Sequence, residues 1–248
     1  MEPKNKFPLS IIIVNYNNAI GLEKTLSFLK NEVSRFIIDN SIELVIIDGS
    51  STDNSREIID IYSDIINFSV SEPDFGIYDA MNKGIYYSQG EYCYFLNTND
   101  AFNSHLLDSI IETINTDSFK LLVFPVNRFN SDGKYIAKKV KTSLEPNDFI
   151  DSMPVCHQGV IFKKTHILYY DSSYKIIADK DLIYRYIKQY NSSIKYFSEV
   201  LMDYYEDGYS IKNIKQWKFE NIVFCLKNSP SKIKLLHYII SYFKSKIL

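Results

Sequence analysis

The residues of this 248-residue chain best suited to chemistry are amides and carboxylates gathered in short clusters. Asn15-Tyr-Asn-Asn18, Asp48-Gly-Ser-Ser-Thr-Asp53 and Asn97-Thr-Asn-Asp100 each follow directly on an apolar run. Such groups accept hydrogen bonds from ligand N–H and O–H donors, and the carboxylates among them suit hard cations. A fourth stretch, Asp74 to Gly84, combines two useful features. Gly76 allows close backbone approach, and the helical pattern that follows offers an N-terminus, which favours phosphate. Asp179 and Asp181 open a later helical pattern, and His157-Gln158 precede another short apolar run.

The elements that must position these clusters follow from periodicity. Apart from Ser10 and Glu43, Leu9–Val14, Glu43–Ile47 and Tyr92–Leu96 are apolar at consecutive positions, as strands buried on both faces are. Ile66–Val70, Lys120–Val126 and Val160–Phe162 predict further strands. Helical patterns run over about Ile20–Asn31, Asn54–Ser63, Tyr78–Ser88, Leu106–Ile114 and Asp179–Gln189, with Ser51 to Asp53 suited to cap the second of them. This alternation predicts an α/β fold, a mostly parallel sheet with helices on both faces. Ligands bind at the carboxyl ends of such strands, so three polar clusters at three strand ends converge on one crevice. Beyond Asn127 the pattern loosens; Asn130-Ser-Asp-Gly133 reads as a hairpin turn. Two lysine-studded amphipathic helices, about Ile211–Lys227 and Ser231–Lys246, follow on either side of Pro230.

Four segments together resemble family-2 glycosyltransferases of the GT-A fold, a Rossmann-like architecture. They are Leu9-Ser-Ile-Ile-Ile-Val-Asn-Tyr-Asn17, Val45-Ile-Ile-Asp-Gly-Ser-Ser-Thr-Asp53, Ser71-Glu-Pro-Asp-Phe-Gly-Ile-Tyr-Asp-Ala-Met-Asn-Lys-Gly84 and Gly90-Glu-Tyr-Cys-Tyr-Phe-Leu-Asn-Thr-Asn-Asp100. The resemblance implies a nucleotide-sugar donor. It puts Asp48 on the nucleobase with Asn15 and Tyr16 beside it, and Asp74, Asn82 and Lys83 near ribose and diphosphate. Where the family often has two adjacent acids this chain has Asp48-Gly49, and where it often has Arg this chain has Met81. Asn97–Asp100 stands at the place of the family's metal-binding acids. The resemblance therefore implies Mg or Mn on Asp100, with Asn99 at ribose or in the cation's surroundings. Asp179 matches the family's general base, which helps an acceptor hydroxyl attack and invert the anomeric centre. Asp181 reads as a cap or scaffold residue. His157 and Gln158 fall near acceptor or phosphate, although a lone His is as often structural.

Composition narrows the partners. Net charge is −2, which argues against nucleic acid. Cys93, Cys156 and Cys225 are odd in number and widely spaced, which fits a reducing cytosol better than disulfides or zinc. Met1–Phe7 shows no signal-peptide core, and no run is long enough to span a bilayer. Lysines crowd the segment Ile211–Leu248, where Glu220 is the lone acid. That asymmetry suits contact with the inner membrane surface, where a lipid-linked acceptor is presented. The expected organisation is a catalytic domain over 1–210 and basic helices over 211–248. Within the domain, a nucleotide-binding half spans about 8–126 and an acceptor half 127–210. Three rivals are weaker. A nucleotide-sugar pyrophosphorylase needs a Gly-rich, Arg-bearing loop after the first strand, and Asn15-Tyr-Asn-Asn-Ala19 has no glycine. A glycosidase leaves the three polar strand ends unexplained. A catalytically silent sugar-nucleotide-binding subunit is suggested by the scarcity of acids at 97–100.

Overall fold

The computed structural model describes residues 7–130, 132–206 and 213–228. β1 (Phe7–Asn15), β2 (Ile42–Asp48), β3 (Phe68–Ser71) and β4 (Gly90–Asn97) lie parallel in the order β3-β2-β1-β4. β8 (Val160–Lys163) continues the sheet antiparallel to β4, followed by β5 (Leu121–Val123) and β9 (Ile194–Tyr196). Side chains alternate between two cores, one on each face of the sheet. Ile12, Val45, Ile47, Cys93 and Phe95 pack on one side with α4 (Ile77–Tyr87) and α7 (Ala178–Tyr190). Leu9, Ile11, Ile13, Leu44, Ile46, Tyr94 and Leu96 pack on the other with α1 (Ala19–Glu32), α2 (Ser34–Ile38), α3 (Ser55–Ile61) and α5 (Leu107–Thr116). Burying one such Ile or Leu side chain stabilises the fold by about 1.5–3 kcal/mol. This double burial is why the first strands read as unbroken apolar runs.

The expected strand Lys120–Val126 is two strands. β5 ends at Val123, and β6 (Val126–Asn130) belongs to a separate three-stranded sheet with β7 (Tyr135–Lys139) and β10 (Met202–Glu206). Pro125 lies between them and has no N–H to give a ladder, and its carbonyl accepts from Leu201 N instead (2.9 Å). α4 runs through Asn82-Lys83-Gly84 to Tyr87. Gly84 faces Ile12 so closely that a Cβ there would overlap its Cγ2, and this lets α4 lie tight on β1.

The first of the two basic helices is α8 (Ile214–Asn228). It packs into the main core through Phe224 and Cys225, close to the short α6 (Asp148–Asp151). The second, expected over Ser231–Lys246, lies outside the described residues.

Candidate functional site

The parallel strands end in a row, and four strained turns gather there. Asn17, Ser50 and Asn99 adopt positive φ (49°, 63° and 75°), as does Gly76 (114°). Non-glycine residues enter this region at a cost, and such strain concentrates at functional sites. These turns border a cleft of about 780 Å³ whose walls include Asn15, Tyr16, Gly49, Asp74, Gly76, Ile77, Asn97 and Thr98. Tyr16 is 67% exposed, so its ring is available to a planar ligand. Gly76 precedes α4, whose first turn has no side-chain cap, so that helix N-terminus opens on the cleft.

Beneath the cleft lies a closed polar network. Asn15 and Asp48 are register partners on β1 and β2 and are 3% and 1% exposed. Asp48 accepts from Asn15 Nδ2 (2.8 Å), Ser51 Oγ (2.5 Å), Ser51 N (2.9 Å) and Ser71 Oγ (2.6 Å). Burial pushes its carboxyl up, but the hydrogen bonds from Ser51, Ser71 and Asn15 outweigh it and hold the pKa below the usual value. Asp48 is thus enclosed by four donors from its own surroundings. It is a saturated brace under the floor and does not border the cleft. Asn15 does border it, but its Nδ2 is held by Asp48, Ser55 Oγ (2.9 Å) and Ser51 Oγ (3.3 Å), and its Oδ1 is buried with no partner among the described residues.

A second cavity of about 530 Å³ shares Gly76, Ile77 and Asn97 with the first and is bordered by Asp179 and Tyr174. Asp179 stands in the first turn of α7. Burial raises its carboxyl to about 6, although donation from Lys180 N (2.8 Å) and the Tyr78 hydroxyl (3.3 Å) works the other way. A carboxyl poised there can take a proton near neutral pH. Its loop is held by Glu220 of α8, which accepts from the N–H groups of Lys175 (2.8 Å), Ile176 (2.9 Å) and Ile177 (3.2 Å). Asp181 pairs with Arg185 Nε (2.8 Å) one turn on, a scaffold role.

The 97–100 turn divides. Asn97 and Thr98 border the first cleft, whereas Asn99 and Asp100 border another cavity of about 470 Å³ with Asn103 and Asp203. Asn99 Oδ1 accepts from Lys24 (3.2 Å), and Thr98 Oγ1 accepts from Asn18 (2.7 Å).

Other residues expected near the ligand make contacts within the protein. Asn82 clamps α4 to the backbone of Tyr170 with both ends of its amide (2.9 and 2.8 Å). Lys83 braces the loop before α4, bonding Pro73 O (2.7 Å) and Glu72 (2.9 Å). His157 is buried among Phe95, Phe162 and Tyr170; its Nε2 meets the Tyr170 hydroxyl at 2.7 Å, and burial lowers its pKa to about 4. It is neutral at physiological pH, as a core histidine. Gln158 accepts from the Cys156 thiol (2.9 Å) and gives its carbonyl to Tyr94 (3.1 Å). Ser71, Tyr78 and Glu220 escaped the sequence reading of the site, whereas Ser51 is read there as part of a helix cap and Gly49 as the place of a missing acid. Glu220 alone carried a signal, as the single acid among the C-terminal lysines.

The family model for glycosyl transferase family 2 matches residues 10–182, more than half of the chain and every cluster described above. The chain belongs to glycosyl transferase family 2. An uncharacterized glycosyltransferase of Mycobacterium tuberculosis is 27% identical over 183 residues, which cover 71% of this chain and 68% of that one. Among solved structures, Staphylococcus aureus TarS 1-349 in complex with UDP-GlcNAc superposes with a TM-score of 0.63 at 16% identity, covering 95% of this chain and 71% of that chain. A mannosyltransferase of Pyrobaculum calidifontis in complex with GDP-Man and Mn2+ superposes with a TM-score of 0.61 at 14% identity, covering 95% and 69%. These likenesses show the GT-A fold for this family-2 chain. They also raise the question of a cation. Asp74 is the carboxylate bordering the first cleft and comes from the loop after β3, not from the 97–100 turn. Among the described residues no group of three or more His, Cys, Asp and Glu is arranged to hold a metal ion. A cation that shares its ligands with substrate phosphates needs only one or two carboxylates, and Asp100 is the carboxylate of the 97–100 turn.

Proposed function

We propose that this chain is an inverting glycosyltransferase. It moves a hexose or N-acetylhexosamine from a nucleotide sugar, of which UDP is the favoured base, to a hydroxyl of a glycan or lipid-linked acceptor in cell-surface polysaccharide synthesis. The observation that carries this reading is continuity. The cleft with Tyr16 and Asp74 joins the cavity with Asp179 through Gly76, Ile77 and Asn97. In this reading the nucleotide lies against Tyr16 and Gly49, and the diphosphate meets the N-terminus of α4. The sugar spans Gly76 to Asn97. Asp179 takes the proton of the acceptor hydroxyl as its oxygen bonds to the anomeric carbon. The bond from that carbon to the diphosphate breaks on the opposite face, which inverts the centre.

The same reading keeps a nucleotide half over about 8–126, an acceptor half over 127–210 and basic C-terminal helices over 211–248. It places the enzyme in the cytoplasm, at the inner membrane face. No described helix is long and apolar enough to cross a membrane. α8 leaves Lys215, Phe219 and Leu226 exposed, which suits peripheral contact.

Thermal shift with UDP, UDP-glucose and UDP-GlcNAc tests the donor, because a ligand raises the melting temperature of the fold it binds. Stabilisation by a UDP-sugar with transfer to a lipid-linked glycan supports the reading. Binding with no turnover on any acceptor would favour a silent subunit. The assay in excess EDTA addresses Mg or Mn. With Mg or Mn on Asp100, EDTA should abolish transfer and manganese should restore it; transfer that proceeds in full under excess EDTA would remove the metal from this reading.

A further inference from the structure

The floor of the cleft has a gap where a second acid would follow Asp48. Gly49 stands there, and a Cβ built on it would overlap Oδ2 of Asp74 and come within 3.2 Å of the Tyr16 ring. A carboxylate oxygen thus already fills the place that a side chain at position 49 would enter, delivered from the loop after β3. Asp74 is fixed in that position: its Oδ1 accepts from Gly76 N (2.8 Å), the turn that starts α4. Among the described residues that is its one hydrogen bond, so Oδ2 is left facing Gly49 and Tyr16. Asp48 and Asn15 present no solvent-facing acceptor at this end. Asp48 is covered by four donors, and the Asn15 carboxamide oxygen is buried.

We infer that Asp74 is the residue that selects the nucleobase, admitting bases with a ring N–H and rejecting those without one. The inference rests on the nucleotide reading of the cleft given above. The exposed Tyr16 ring, packed close to Gly49, offers one face to a planar ring. At its edge stands an acceptor with no proton to offer. Uracil, thymine and guanine present a ring N–H to such a carboxylate. Cytosine presents a bare ring nitrogen at the same position, and two lone pairs then face each other.

The test is a titration of UDP and CDP into the wild-type chain and into two variants, followed by calorimetry. Asp74→Asn keeps the shape and the oxygen that accepts from Gly76, but turns an amide N–H toward the base. Wild type should bind UDP roughly 10-fold or more tightly than CDP, the size expected for a hydrogen bond to a charged group. Asp74→Asn should lose that preference or reverse it, chiefly by binding CDP better, which a merely damaged site cannot do. Gly49→Ala should weaken UDP by displacing Asp74, with no gain for CDP. Equal UDP and CDP affinity in wild type, or an unchanged UDP preference in Asp74→Asn, overturns the inference and leaves the nucleotide reading intact. Failure of wild type to bind either nucleotide sinks both.

Discussion

Asp179 holds its proton up to a pH of about 6 because it is buried beside Tyr78, and two consequences follow at the level of this single side chain. As a base it must be ionised, so transfer should fall as pH drops below about 6. Asp179→Asn should cut transfer by roughly 10²-fold or more with donor affinity nearly unchanged, measured as kcat and as UDP binding. The second consequence concerns stability. The folded pKa lies above the ordinary carboxyl value of 3.8, so the folded form is favoured by protonation. That contribution is complete below 3.8 and is lost as pH rises through about 6, where a buried charge must be carried. Asp179→Asn should therefore raise the melting temperature at about pH 8 and not in acid. An inactive variant that melts lower at both pH values would instead mark a scaffold residue. Asp48 has the opposite sign. Its folded pKa is depressed by its serine and asparagine donors despite burial, so its stabilisation is present above 3.8 and is lost as pH falls through the lowered folded value. Asp48→Ala should lower stability to urea at neutral pH, with a smaller deficit in strong acid. An equal deficit at both would mean packing, not charge, explains it.

At the level of elements, position was legible in the sequence where burial is symmetrical. The runs at Leu9, Glu43 and Tyr92 became β1, β2 and β4 with ends extended by one or two residues, because a strand apolar on both faces leaves no ambiguity. Lys120–Val126 misled because apolarity does not reveal which sheet a residue joins; Pro125 marked the break. β7, β9 and β10 went unread, since they are short and flanked by polar residues with weak alternation. The same contrast holds in the site. The strand ends announced a cleft, but the direction of each side chain depends on contacts between distant segments. Asp48 turned inward to Ser71, and Asn82 turned to Tyr170. Glu220 is the clearest case, because it joins α8 to the loop before α7. Glu220→Ala would strand three N–H groups at a cost of about 1–3 kcal/mol for each that stays dry. The melting temperature should fall, and kcat should fall more than donor binding; Glu220→Gln, which keeps an acceptor oxygen, should recover part of both. A variant with normal melting and normal kcat would remove α8 from the account of the site.

Across the whole molecule, charge and catalysis sit on different parts of the chain. Acids and amides line the crevice, while lysines collect after residue 211. Membrane association through 211–248 predicts co-sedimentation with vesicles containing anionic lipid, weakening as salt screens the lysines. A chain ending at Pro230 should partition less. Equal partitioning of both, insensitive to salt, would leave the lysines as ordinary solvated surface. The attachment of α8 also sets an order of assembly during synthesis. The ribosome delivers β1 to β4 and their turns long before Glu220. A nascent chain can therefore form its donor crevice while the segment that carries Asp179 still lacks its anchor. On the proposed reading, every residue named at the nucleotide end precedes the anchor of the Asp179 loop by more than a hundred positions in synthesis.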